Sequence, residues 1–215
     1  MVAYWMFSQS VIAQKIVEKN FNFSGKNMVL LNLDIADSIR IITWDKAEVY
    51  LKASVDINDN KNNDDYKINF DESGRYVRVR SKFDFQNERN CCGDSGNCQC
   101  YCNCHSKIYF DLFLPKNADF SVETIDGNIT ISGVTAQVRA HSISGFIDFT
   151  TTPDIQADLK MNTISGTMYT NFDFSSQKNL RHIGGSTINT ILNGGGEKSI
   201  ELQTISGDIF FRKKS

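Results

Sequence analysis

Four cysteines at alternate positions, Cys98, Cys100, Cys102 and Cys104, run directly into His105. With Cys91 and Cys92 they make up all six cysteines of the 215-residue chain, in the stretch CCGDSGNCQCYCNCH. Two chemistries suit such a cluster. In an oxidising compartment an even number of cysteines closes disulfides, and all six are candidates. Soft thiolates beside an imidazole instead hold zinc or copper(I), with Cys98, Cys100, Cys102, Cys104 and His105 as candidate ligands. The cluster lacks the paired Cys-x-x-Cys spacing of zinc fingers and ribbons, so no cofactor is expected. Cysteines two apart on one strand lie beyond the ~4 Å between Cβ atoms that a disulfide spans. Partners must therefore cross a hairpin, where Cys91 and Cys92 stand. The parity of the four cysteines continues through Ile108, Phe110, Leu112 and Leu114, which places them on the core side of a strand.

Catalytic chemistry has little to stand on. His105, His141 and His182 are the only histidines, and neither a metalloprotease helix motif nor a Gly-x-Ser-x-Gly elbow occurs. His141 and His182 read as surface positions. Asp126, Asp148 and Asp208 are the carboxylates that a polysaccharide-cleaving β-helix would display along a groove. They fall in different columns of an internal repeat and form no constellation. The glycine-rich NGGGE (residues 193–197) lacks the Lys-Ser/Thr of a phosphate loop and reads as a turn. No catalytic residue is assigned, and the chain is expected not to be an enzyme.

The elements that carry these residues repeat. AHSISGFIDF, MNTISGTMYT and LQTISGDIFF are near copies, VETIDGNITI is a fourth and LRHIGGSTIN a degraded fifth. Their glycines, Gly127, Gly145, Gly166, Gly185 and Gly207, are 18, 21, 19 and 22 residues apart. A period near 20 with variable loops belongs to solenoids, whose coils bury an apolar face only by stacking. Isoleucine stands two before each glycine: Ile125, Ile143, Ile164, Ile183 and Ile205. Five before it stand Val122, Ala140, Met161, Leu180 and Leu202. These two columns have opposite strand parity, so a bulge or corner is expected between them, turning the strand while keeping both sets inward. The hydroxyl column between them, Thr124, Ser142, Thr163 and Thr204, is expected on the outer surface or at the corner.

Composition agrees with strands. Two prolines, abundant β-branched and aromatic residues and no helical periodicity predict an all-β protein with almost no helix. The fold class expected is a solenoid, a single-stranded right-handed β-helix-like stack of coils of about 20 residues, with an irregular strand-rich N-terminal part. SIRIITWDKAEVYLKASVDI gives two strands around a WDK turn, RYVRVRSKF another, and NDNKNNDD a solvated loop. The expected organisation is a signal-peptide remnant in 1–13, a strand-rich part in 14–116 with a Cys-rich hairpin insertion in 86–106, and a repeat solenoid of about five coils in 117–215. The opening MVAYWMFSQSVIAQK carries an apolar core and small residues suited to cleavage, with its basic start expected upstream. A net charge of −2 without a basic stripe argues against nucleic acid, and no run of about 20 apolar residues argues for a membrane span.

A TWDK turn between alternating strands, then FDLFLPKNADFSVETIDGNITISG and further TISG units, resembles the bacterial putative-adhesin families of beta-strand-repeat proteins. The match covers most of residues 15–211. The resemblance implies an exported all-β protein, periplasmic, at the cell surface or secreted, with no catalytic residues to carry over and a surface glycan or protein as its partner. The cysteine cluster departs from the family pattern. A non-enzymatic adhesin-like binding or scaffold module is the leading expectation; a carbohydrate-active β-helix and a metal-binding protein are the alternatives.

Overall fold

The computed structural model describes residues 14–84, 105–133, 136–173, 180–182 and 185–214. The expected signal-peptide remnant and all six cysteines lie outside these residues. What is described is all-β: fifteen strands and one three-residue 3-10 turn, Asn63–Asp65. In chain order the strands are β1 (Lys15–Asn22), β2 (Met28–Trp44), β3 (Glu48–Ile57), β4 (Tyr66–Glu72), β5 (Tyr76–Phe83), β6 (Ser106–Pro115), β7 (Asp119–Ser132) and β8 (Gln137–Ser144). They continue with β9 (Ile147–Thr151), β10 (Ala157–Ser165), β11 (Met168–Thr170), β12 (Leu180–His182), β13 (Gly185–Leu192), β14 (Ser199–Ser206) and β15 (Ile209–Lys213).

Each clear repeat is a strand, a glycine corner and a second strand. β7 does this without a break, pairing with β8 before Gly127 and with β9 after it. β8 and β9 flank Gly145, β10 and β11 flank Gly166, and β14 and β15 flank Gly207. Their inward residues, among them Val122, Ala140, Met161, Leu202, Ile129, Ile147 and Ile209, are fully buried and belong to one apolar core that also takes in Leu112 and Val77.

The strands form a mixed, unclosed sheet, and their arrangement departs from the expected succession of coils in three ways. The first is order: the strands run β2, β7, β8, β14, β10, β13, so the last repeat in the sequence is inserted between the second and third. Charge gives this order a reason. Glu201 of β14 lies between Arg139 of β8 (3.1 Å) and Lys160 of β10 (2.7 Å), whereas stacking β8 directly on β10 in the same columns would oppose the two cations. The second difference is the degraded fifth copy, which does not pair in parallel with the others. β12 and β13 form antiparallel arms with His182 opposite Gly185, and β13 runs antiparallel to β10. The third is a parallel strand that the glycine pattern missed. β2 pairs in parallel with β7 along its length, Ala36 facing Gly127, and its register shifts between Ala36 and Ser38. A bulge at Asp37 turns this strand where the others use glycine.

Around this stack the remaining strands extend both faces. β5 lies beside the first half of β2 and pairs with β4; β6 lies beside the second half and leads to β3 and β1. Antiparallel and parallel pairs therefore mix in one open sheet, with β1 and β12 at the ends of its main path. Ile108, Phe110, Leu112 and Leu114 face the core as their parity predicted. The polar loop after β3 holds its shape with Asn58, Asp59 and Asn60 at positive φ, each a residue type that tolerates it. Asn63 anchors it by accepting the Ile57 amide at 2.8 Å.

Candidate functional site

The parity break in the repeat is resolved the opposite way from expectation. The hydroxyl column turns inward and the isoleucine column turns out. Thr124, Ser142, Thr163 and Thr204 are buried, while Ile125, Ile143, Ile205 and Ile164 are 53%, 41%, 40% and 54% exposed. Hydrogen bonding explains the inversion. Thr204 Oγ1 donates to the Gly145 carbonyl (3.3 Å) and Thr163 Oγ1 to Gly207 (3.0 Å), while Ser142 Oγ shares its one hydrogen between the Gly127 carbonyl (3.1 Å) and the Ser144 carbonyl (2.8 Å). Each hydroxyl thus ties its corner to the glycine of the strand stacked before it. A buried carbonyl without a partner costs about 1–3 kcal/mol, which offsets the roughly 1 kcal/mol that covering the exposed half of an isoleucine side chain would gain.

The glycines are required by the same close approach. A Cβ on Gly166 would collide with the Gly207 carbonyl, and one on Gly145, at φ +122°, with the Gly127 carbonyl. With the corner fixed, the residue after the hydroxyl must point to solvent.

The result is an in-register ladder on four adjacent strands. The residues flanking each isoleucine are paired, Thr124 to Ser142 to Thr204 to Thr163 and Asp126 to Ser144 to Ser206 to Ser165, so Ile125, Ile143, Ile205 and Ile164 follow one another. Strand spacing of about 4.8 Å makes the stripe roughly 15 Å long. Beside it runs a polar row: Asn32, Glu123, His141, Gln203 and Asn162, paired in that order. Asn32 donates to Glu123 at 3.0 Å. At the β2 end the two rows enclose a shallow groove of about 280 Å³, lined by Asn32, Asp34, Glu123, Ile125, His141 and Ile143.

A second apolar patch lies beyond the corner. Tyr169 stacks on Phe210 (4.9 Å between centroids, 9° between planes), and Phe146 meets Phe210 edge-on at 6.2 Å. Tyr169 and Phe146 are exposed. Next to them Asp148 is ion-paired with Arg212, and Asp208 accepts the Thr167 amide at 2.7 Å. Two of the three candidate carboxylates thus hold strands together, and Asp126 sits exposed at the corner of β7.

His141, read from sequence as surface decoration, is a half-buried groove residue. His182 joins the backbone ladder of β12. His105 is exposed just before β6, its carbonyl accepting the Asn58 amide at 2.9 Å. The candidate metal ligands and disulfide partners Cys98, Cys100, Cys102, Cys104, Cys91 and Cys92 lie outside the described residues. Among the described residues no three His, Cys, Asp or Glu side chains are placed to hold a metal ion. No helix among them is long and apolar enough to cross a membrane.

No family model and no curated protein sequence matches this chain. Among solved structures, one described as a "putative cell adhesion protein" from Clostridium sporogenes matches with a TM-score of 0.52 at 12% identity, covering 94% of this chain and all of that one. Another, described as a "putative adhesin" from Bacteroides fragilis, has a TM-score of 0.34 at 8% identity and covers 94% and 99%. The first likeness is one of fold; the second is too loose to add to it.

Proposed function

We propose that this protein is an exported, non-enzymatic, adhesin-like binding module whose contact surface is the isoleucine ladder and its polar row. The ladder is the observation that carries the reading. Scattered exposed apolar residues are ordinary, but four on adjacent strands in one column form a contiguous stripe of the kind that marks contact sites. The row of amides, a carboxylate and an imidazole alongside supplies directional hydrogen bonds, which suits a surface glycan or protein. The fold shared with the structure described as a "putative cell adhesion protein" supports the same reading by analogy.

The test is retention of the labelled full-length chain on immobilised glycans and extracellular proteins, against an albumin-coated control. Wild type is expected to bind at least one of them, and I143D/I205D to lose at least tenfold with unchanged melting. No retention above the control, or retention indifferent to the double substitution, would overturn the reading. Export adds its own check. Chain secreted from its precursor is expected to weigh six hydrogens less than the fully reduced form, all six cysteines being oxidised; free thiols in the secreted protein would argue against it.

A further inference from the structure

We propose that the gap between β8–β9 and β10–β11, which residues 199–213 fill within one chain, also accepts residues 199–213 of a second copy, giving a strand-exchanged dimer. The gap is a binding site whose occupant is visible. β14 pairs in parallel with β8 and with β10, and β15 with β9 and with β11, so both halves of the inserted repeat are held on both sides. The insert buries Leu202, Ile209 and Phe211, and Phe211 stacks on Phe149 at 5.5 Å. It also completes the corner ladder in both directions, donating from Thr204 to Gly145 and accepting from Thr163 at Gly207.

Two features make this site selective for one segment. Glu201 is bonded to both Arg139 and Lys160. At the equivalent position the other repeats carry Ser121, Arg139 and Lys160, so among the coil-forming repeats only residues 199–213 bring an acid. The same two cations oppose closure of the emptied gap, because β8 meeting β10 would set Arg139 against Lys160. A gap left open therefore waits for a Glu201-bearing strand.

The connection allows the exchange. Residues 193–198 join β13 to β14 through a turn in which Asn193, Gly194 and Gly195 all have positive φ. Asn193 Nδ2 fastens that turn to the carbonyls of Pro153 (3.0 Å) and Ile155 (2.9 Å). Released and extended, six residues span roughly 20 Å, enough to act as a hinge. Reciprocal exchange fills both gaps and closes the dimer, whereas one-way exchange leaves a gap unfilled.

The test uses two full-length variants under reducing conditions, so that cysteines cannot link the chains. E201K carries a basic insert and the wild-type gap; R139E/K160E carries the wild-type insert and an acidic gap. Alone, each sets like charges against one another in its own gap and in any exchanged homodimer. Mixed in urea and refolded together, they can match charges only by exchanging. The expected result, by native mass spectrometry, is a heterodimer at twice 24.3 kDa, at least fivefold more abundant than either homodimer. Monomers alone, or unbiased mixing, would overturn the proposal. Should the variants not fold, wild type refolded at rising protein concentration is expected to yield a rising dimer fraction that persists on dilution, and a concentration-independent monomer would count against exchange.

Discussion

In three of the four repeats with a corner hydroxyl, Ser142, Thr204 and Thr163, that group does two jobs at one position: it reaches the carbonyl of a stacked glycine and fixes which side chain faces solvent. Removing it without changing shape separates these roles. Thr163→Val leaves the Gly207 carbonyl without its side-chain donor and is expected to cost about 1–2 kcal/mol in denaturant unfolding. Gly166→Ala is expected to cost more than about 1 kcal/mol, because the new Cβ meets a backbone carbonyl that cannot swing away. Tyr66, fully buried against Phe83 and Phe110, is a different kind of polar core residue. Its hydroxyl donates to the Ile35 carbonyl at 2.7 Å and shares a 2.6 Å hydrogen bond with Ser81 Oγ. Burial raises its pKa above the ordinary 10.0, since the phenolate would lose its hydration. The folded state then holds its proton where the unfolded chain releases it, so Tyr66 contributes stability that is present below pH 10 and declines as pH rises beyond it. Urea midpoints between pH 8 and 11 are expected to fall less steeply in Tyr66→Phe than in wild type; parallel curves would show that another group controls alkaline unfolding.

Among the strands, charge decides what apolar pattern leaves open. Val138, Leu159 and Ile200 occupy equivalent positions in three interchangeable repeats, so hydrophobic columns could identify the repeats but not the order in which they stack. The Arg139, Glu201, Lys160 alternation carried that information in plain residues, yet it signifies nothing until the strands are placed side by side. The kinship of β2 with the repeats is hidden for a related reason: Ala36 and a bulge stand where the repeats have a glycine corner, so the motif is absent while the parallel pairing is present. The exposed stripe is visible in the sequence as a column of isoleucines, but pattern alone places it on the inner side, because isoleucine is usually buried and a corner hydroxyl usually is not. Side-chain exposure limits what the charge alternation is worth. Arg139 and Lys160 are 65% and 50% exposed, so each pair contributes no more than about 1 kcal/mol. Glu201→Lys, which turns two attractions into repulsions, is expected to lower stability by about 1–2 kcal/mol, a melting shift of roughly 4 °C that shrinks in 1 M salt. The hydrogen bond from Lys160, aided by Arg139, holds the Glu201 carboxyl below its ordinary 4.5. That stabilisation is present above about pH 4.5 and lost as pH falls through the depressed value. Glu201→Gln is expected to flatten the acid side of the stability profile, and an unchanged acid limb would remove the pair from the account.

For the molecule as a whole, the question is whether 215 residues fold as one unit, since chains of this length often unfold in stages. The strand pairing favours one unit. β7 opens the repeats, yet both of its halves lie against β2, and β2 in turn holds β5 and β6. Cutting the chain before β7 would strip a full-length partner from that strand and expose Phe120, Val122, Ile129 and Ile131 along the seam. The core makes the same point, running from Phe21 to Phe211 as one cluster. Two substitutions far apart in the stack test this together. Leu112→Ala in β6 and Met161→Ala in β10 each remove a fully buried side chain and are expected to cost about 2–5 kcal/mol. In a single cooperative unit, calorimetry shows one transition and both variants shift all of it, with calorimetric and van't Hoff enthalpies in agreement. Were the repeats independent of the strands before them, each substitution would displace its own transition and leave the other in place. The prediction is the former, because among the described residues no strand boundary separates the sheet into halves that pair only within themselves.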